Sequence, residues 1–192
     1  SSRQRLMQRR ALFAALLLLV TPVAARAAPP AVAAAASLRY ALDEAATAFH
    51  RQTGKNVRIS YGASGSLVQQ IESGAPFELF LSADEAHVFR LADKRLTPDR
   101  GRIYAVGRLT LATPAGSRLV LDPRLAGLGK GLAAGDVRRL AIANPETAPY
   151  GARAREALTT AGLWGKAKPK LVTGENIGQA FQFVATGGAD AG

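Results

Sequence analysis

Two serines, Ser37 and Ser64, stand where a short apolar run hands over to an amphipathic segment. They lie in Ala-Ala-Ala-Ala-Ser-Leu (33–38) and Ser-Tyr-Gly-Ala-Ser-Gly-Ser-Leu (60–67). A helix that begins at such a junction presents unpaired backbone N–H groups and the positive end of its dipole, and a serine at the cap adds a hydroxyl donor. Each junction is therefore suited to hold an anion. Ser64 and Ser66 compete for the second cap, and Gly62 and Gly65 allow a tight turn around it. The competing reading makes both serines plain N-caps, each stabilising its helix by about 1 kcal/mol. Two such junctions in one small chain point to a bound oxyanion rather than a catalysed reaction. Other reactive chemistry is sparse. There is no cysteine, which excludes disulfides and thiolate metal sites. The two histidines, His50 and His87, have neither metal-ligand spacing nor a nucleophile motif nearby, and read as solvated or helix-face residues.

The elements that must position these serines alternate strand and helix. The alanines at 33–36 belong to a strand entry. A helix is expected over 38–51, with Leu38, Ala41, Leu42, Ala45 and Phe49 on one face and a stop before Gly54. A strand over 57–61 leads through the glycine-rich turn into a helix carrying Leu67, Val68 and Ile71, ended by Gly74-Ala-Pro76. Residues 78–81 read as a buried strand, and Ser82-Ala-Asp-Glu85 as a capping box that opens the next helix, which keeps Ser82, Asp84 and Glu85 out of the site. Further strands are expected over 109–112, 140–143 and 171–173. This alternation predicts an α/β fold of parallel sheets covered by helices, with ligand outside the carboxyl ends of the strands. The pattern restarts near Tyr104 to Gly107, dividing the chain into a first α/β lobe over 28–106 and a second over 107–192.

Residues 1–27 have the layout of a cleavable secretory signal: Met7-Gln-Arg-Arg10, an apolar run over 11–20, and the small-residue site Ala25-Arg26-Ala27. Residues 1–6 read as lying upstream of the start. The apolar run is too short for a membrane span, and without cysteine no lipid can be attached at the mature N-terminus, so a soluble periplasmic protein is expected. The formal charge of +11 includes five leader arginines. From residue 28 onward 20 basic residues face 14 acidic ones, a net +6. That balance suits attraction of anions or a solvated basic surface. It does not describe a polybasic nucleic-acid binder, and with 6% aromatics no stacking platform is apparent. About 165 residues remain after the leader, enough for one large or two small domains.

The set Ala-Ser-Leu (36–38), Gly-Ala-Ser-Gly-Ser-Leu (62–67), Ile-Glu-Ser-Gly-Ala-Pro-Phe-Glu-Leu-Phe-Leu-Ser-Ala-Asp (71–84), Tyr-Ala-Val-Gly (104–107) and Asn-Pro-Glu-Thr-Ala-Pro-Tyr-Gly (144–151) resembles the periplasmic molybdate-binding proteins. These are the substrate-binding components of molybdate ABC importers, and the motifs stand in family order from about Val32 to the last residue. The resemblance implies a type-II periplasmic binding protein: two lobes of mostly parallel sheets flanked by helices, with a ligand cleft between them. In that fold the chain returns to the first lobe near its end, so this sequence is expected to be truncated, with an incomplete first lobe. By match, Ser37 and Ser64 each donate a hydroxyl and a backbone N–H, while Tyr150 and Ile177 donate backbone N–H groups from the second lobe. Tyr150 replaces a small residue of some members, and its ring either walls the pocket or packs beside it. The implied ligand is molybdate or tungstate, contacted through its oxygens with no direct metal coordination, no cofactor and no chemistry on the ligand. The implied partner is a membrane permease, and the implied state a monomer that binds no nucleic acid.

The donor set agrees with that ligand. Molybdate and tungstate are tetrahedral dianions near neutral pH, so every oxygen is an acceptor. Phosphate retains a proton, and a site selective for it would include a carboxylate. None of the four positions is Asp or Glu. Sulfate has the same charge and shape with shorter bonds, and a sulfate receptor is the second expectation. An anion-sensing regulatory domain is the third, disfavoured by the leader and by the lack of a helix-turn-helix segment.

Overall fold

The computed structural model describes residues 28–192, so the signal-peptide expectation lies outside the described residues. Ala31–Ala35 form β1, a run of small apolar residues buried along its whole length. Such a run suits a central parallel strand covered on both faces. It is flanked by β2 (Arg58–Gly62) and β3 (Leu79–Leu81), both parallel to it, in the order β2-β1-β3. A 3-10 turn over Ala36–Leu38 runs into α1 (Arg39–Thr53), which ends at Gly54 in the left-handed conformation that glycine adopts without strain. α2 (Ser64–Glu72) joins β2 to β3, and α3 (Glu85–Asp93) follows β3. The second sheet pairs β4 (Leu140–Ala143) with β5 (Leu171–Gly174), again parallel. Around it lie α4 (Ala126–Ala134), α5 (Pro149–Thr160), α6 (Trp164–Ala167) and α7 (Ile177–Ala185). Its main core joins Leu128, Leu132, Val137, Leu140, Leu158 and Leu163. The architecture is thus α/β, with two bodies of parallel strands flanked by helices, as expected.

Four expectations need correction. Residues 109–112 form no strand; only Ala112 pairs, exchanging both backbone hydrogen bonds with Gly192. Residues 78–81 are not a buried strand, because β3 is a sheet edge and Leu79 is 50% exposed. α1 buries no residue completely: Ala41, Ala45 and Phe49 face solvent, and the half-buried stripe is Leu38, Leu42 and Ala46. The helix after β3 is capped by Asp84, not Ser82. The Asp84 carboxylate accepts from the His87 N–H at 3.1 Å, so the helix begins two residues later than a Ser82 cap implies.

Candidate anion-binding site

Five strands end at one place. β1 runs into Ala36 and Ser37, β2 into Ala63 and Ser64, β3 into Ala83, β4 toward Ala148–Tyr150, and β5 into Asn176 and Ile177. Together these residues line a single small pocket between the two sheet bodies. All four expected positions, Ser37, Ser64, Tyr150 and Ile177, are brought together there. The helical stretch starting at Ala36 and the helices α2, α5 and α7 all point their N-termini inward, so four partial positive charges meet where no acidic or basic side chain lines the wall.

Neither serine is a cap. Ala35 precedes the first helical turn and Ala63 precedes α2, both extended, with no side-chain cap bond in either case. Ser66 is not the cap either. Ser37 is the second residue of its turn and is exposed. Ser64 is the first residue of α2, fully buried, and its Oγ accepts the Ala83 N–H at 3.0 Å. That bond occupies a lone pair and leaves the hydroxyl proton free to donate.

The backbone donors follow from helix geometry. In α5, Pro149 takes the first position, where a missing N–H costs nothing, and the Tyr150 N–H follows it. The first return bond within this turn is Ala152 N–H to Ala148 O at 3.1 Å. Gly151 lets the helix start lie against β4, since a Cβ there would come within 2.2 Å of the Ala143 carbonyl oxygen. In α7, the Asn176 side chain caps the Gln179 N–H at 3.2 Å, and the Ile177 N–H lies before the first return bond, Ala180 N–H to Asn176 O. The Tyr150 ring extends toward Gly107, its hydroxyl 2.8 Å from where a Cβ on that glycine would sit.

The two bodies touch beside the pocket. The Gly65 N–H donates to Thr147 O at 2.8 Å, and Ala63 packs with Ala143, Ala148 and Ala180. Behind the contact, His87 Nδ1 lies 2.7 Å from the Asp84 carboxylate. Burial pushes that carboxyl up, but the hydrogen bonds and charge of His87, with Ser82, hold it below the usual range. So His87 is not a plain solvated residue; its ring lies at the lobe contact, Nε2 being 3.0 Å from a Cβ built on Gly65. His50, by contrast, lies exposed in the last turn of α1. Sequence reasoning also missed Ala83 and Asn176, whose roles depend on partners in the folded chain. A larger cavity of about 1080 Å³ lies in the second body; its wall mixes Asp122, Asp136 and Asp190 with Arg118, Lys130 and Arg138, unlike the acid-free wall of the small pocket. Among the described residues no cluster of His, Asp and Glu suits a metal ion, and no helix is long and apolar enough to cross a membrane.

Two α/β bodies with a donor-lined pocket at their meeting strand ends define a two-lobe solute-binding protein. The chain belongs to the bacterial extracellular solute-binding protein family, whose model matches residues 30–192. It is 42% identical over 160 residues to the molybdate-binding protein ModA of Azotobacter vinelandii, covering 82% of this chain and 60% of that one. To ModA of Rhodobacter capsulatus it is 39% identical over 150 residues, covering 78% and 57%. The chain thus spans about three fifths of the length of these relatives. A solved structure, the periplasmic molybdate-binding protein of Azotobacter vinelandii, superposes with a TM-score of 0.74 at 38% identity, over 85% of this chain and 69% of that one.

Proposed function

We propose that this protein captures molybdate, and with it tungstate, in the periplasm and delivers it unchanged to the membrane permease of an ABC importer. The observation that carries this reading is the pocket, where four helix N-termini and two serine hydroxyls meet without a single acidic side chain. Fixed dipoles stabilise a dianion with little reorganisation, while a carboxylate acceptor for a protonated anion is missing from the wall. The names of the similar proteins agree with it.

In this reading Ser37 and Ser64 contact the anion through hydroxyl and N–H groups, and Tyr150 and Ile177 through N–H groups. All contacts go to oxygen and none to the metal. Residues 28–106 form the first lobe and 107–192 the second; residues 1–27 are an export signal that is removed. The protein acts as a monomer, without cofactor, catalysis or nucleic acid. Because donors come from both lobes, the anion binds the closed arrangement better than the open one and draws the lobes together.

Calorimetric titration of molybdate, with and without excess sulfate, tests the reading. Tight uptake that survives sulfate is expected. Uptake abolished by sulfate would make this a sulfate or general oxyanion receptor, and no heat with any tetrahedral oxyanion would refute transport.

A further inference from the structure

The peptide unit between Ser82 and Ala83 is gripped at both ends. Its N–H donates to Ser64 Oγ at 3.0 Å, and its carbonyl accepts the Tyr104 hydroxyl. Both bonds belong to one conjugated amide. A donor on the carbonyl oxygen draws charge from the nitrogen and makes the N–H a stronger donor. That N–H in turn fixes and polarises the Ser64 oxygen, whose hydroxyl proton engages no acceptor among the described residues and lines the pocket. Tyr104 itself is outside the pocket lining and 51% exposed, on the crossover between the lobes. Burial, then the neighbouring Tyr150, pushes its phenol above the usual range, so it stays a donor at any physiological pH.

We propose that Tyr104 is a positioning residue for anion binding, acting through the Ser82–Ala83 peptide to orient and strengthen the Ser64 hydroxyl without touching the anion. The inference rests on the molybdate reading above. It also explains why a half-exposed crossover tyrosine reaches back to the end of β3. A bond that only anchored the crossover would set stability and leave affinity alone.

The test is a double-mutant cycle in which molybdate is titrated into the wild type, Tyr104→Phe, Ser64→Ala and the double variant. Tyr104→Phe is expected to bind about three- to tenfold more weakly. That loss should vanish when Ser64 is already alanine, because the effect travels through its hydroxyl. In the ligand-free protein the Ala83 amide proton should shift upfield in Tyr104→Phe, a signature of a weakened N–H donor that needs no bound anion. Unchanged affinity, an equal loss with and without the Ser64 hydroxyl, or an unmoved Ala83 resonance each overturns the relay. Failure of the wild type itself to bind molybdate overturns the functional reading instead, and is seen before any variant is compared.

Discussion

Ser37 and Ser64 do different jobs although their sequence contexts look alike. Ser37 is exposed and bonds to nothing that holds the fold, so on the proposed reading Ser37→Ala removes only a donor to the anion. A hydrogen bond to a charged group contributes about 1.5–3 kcal/mol, so affinity should fall at least about tenfold with an unchanged thermal midpoint. Ser64→Ala should lose comparable affinity and stability as well. The half-buried Ala83 N–H would lose its acceptor, at a cost of up to about 1–3 kcal/mol. Calorimetry paired with thermal unfolding of the ligand-free variants separates the two; equal midpoints for Ser64→Ala and the wild type would contradict this division. The place of both serines in the pocket was legible because residue type and position at a strand end are local facts. Their mistaken reading as caps has a physical origin: the extended residue before each helix is an alanine, and the Ser64 oxygen is claimed by a residue nineteen positions further on. Contacts of that range, like the one from Tyr104 to Ser82, leave no local trace.

Elements were readable where one stretch of chain decides its own structure. The buried alanine strand, the stop at Gly54 and the strand over Leu140–Ala143 follow from patterning alone. Residues 109–112 did not become a strand because pairing is settled by a distant partner, and only Ala112 meets one. α2 and α3 are joined by an ion cluster that the sequence did not announce. The Glu72 carboxylate accepts from Arg90 Nε and Nη2, both at 2.7 Å, and from Lys94 Nζ at 2.9 Å. The Arg90 hydrogen bonds first, then that of Lys94, pull its carboxyl from 4.5 down to about 2. A carboxyl depressed on folding stabilises the native state above its unfolded value, and that contribution is lost as pH falls through the folded one. The window therefore runs from about pH 4.5 down to about 2. Across it the stability of the wild type should fall with a slope up to one proton steeper than that of Glu72→Gln, measured by urea unfolding at several pH values. Parallel slopes would mean the cluster is loose in solution.

At the scale of the whole molecule the lobes meet through backbone rather than through charged side chains. Gly65 donates to Thr147 O, and the space beside it has no room for a side chain: a Cβ on Gly65 would sit 2.8 Å from that oxygen and 3.0 Å from His87 Nε2. The Thr147 oxygen is backbone of the second body and is met only when the two bodies are together, whereas His87 belongs to the first and presents the movable end of a side chain. A branched side chain at this position should therefore penalise closure more than folding. In the closure proposed above the Tyr150 and Ile177 N–H groups come to the serines, so a protein held open would keep only the first-lobe half of the proposed donors. The binding-competent fraction falls, and the apparent affinity falls in proportion. Gly65→Val should bind molybdate at least about tenfold more weakly, with circular dichroism like that of the wild type. Small-angle scattering adds the decisive readout. The wild type should contract on adding molybdate, while Gly65→Val should need far more anion to reach the same radius of gyration. If the variant contracts at the same concentration, the Gly65–Thr147 contact does not limit closure, and the donors of the second lobe reach the anion by another route.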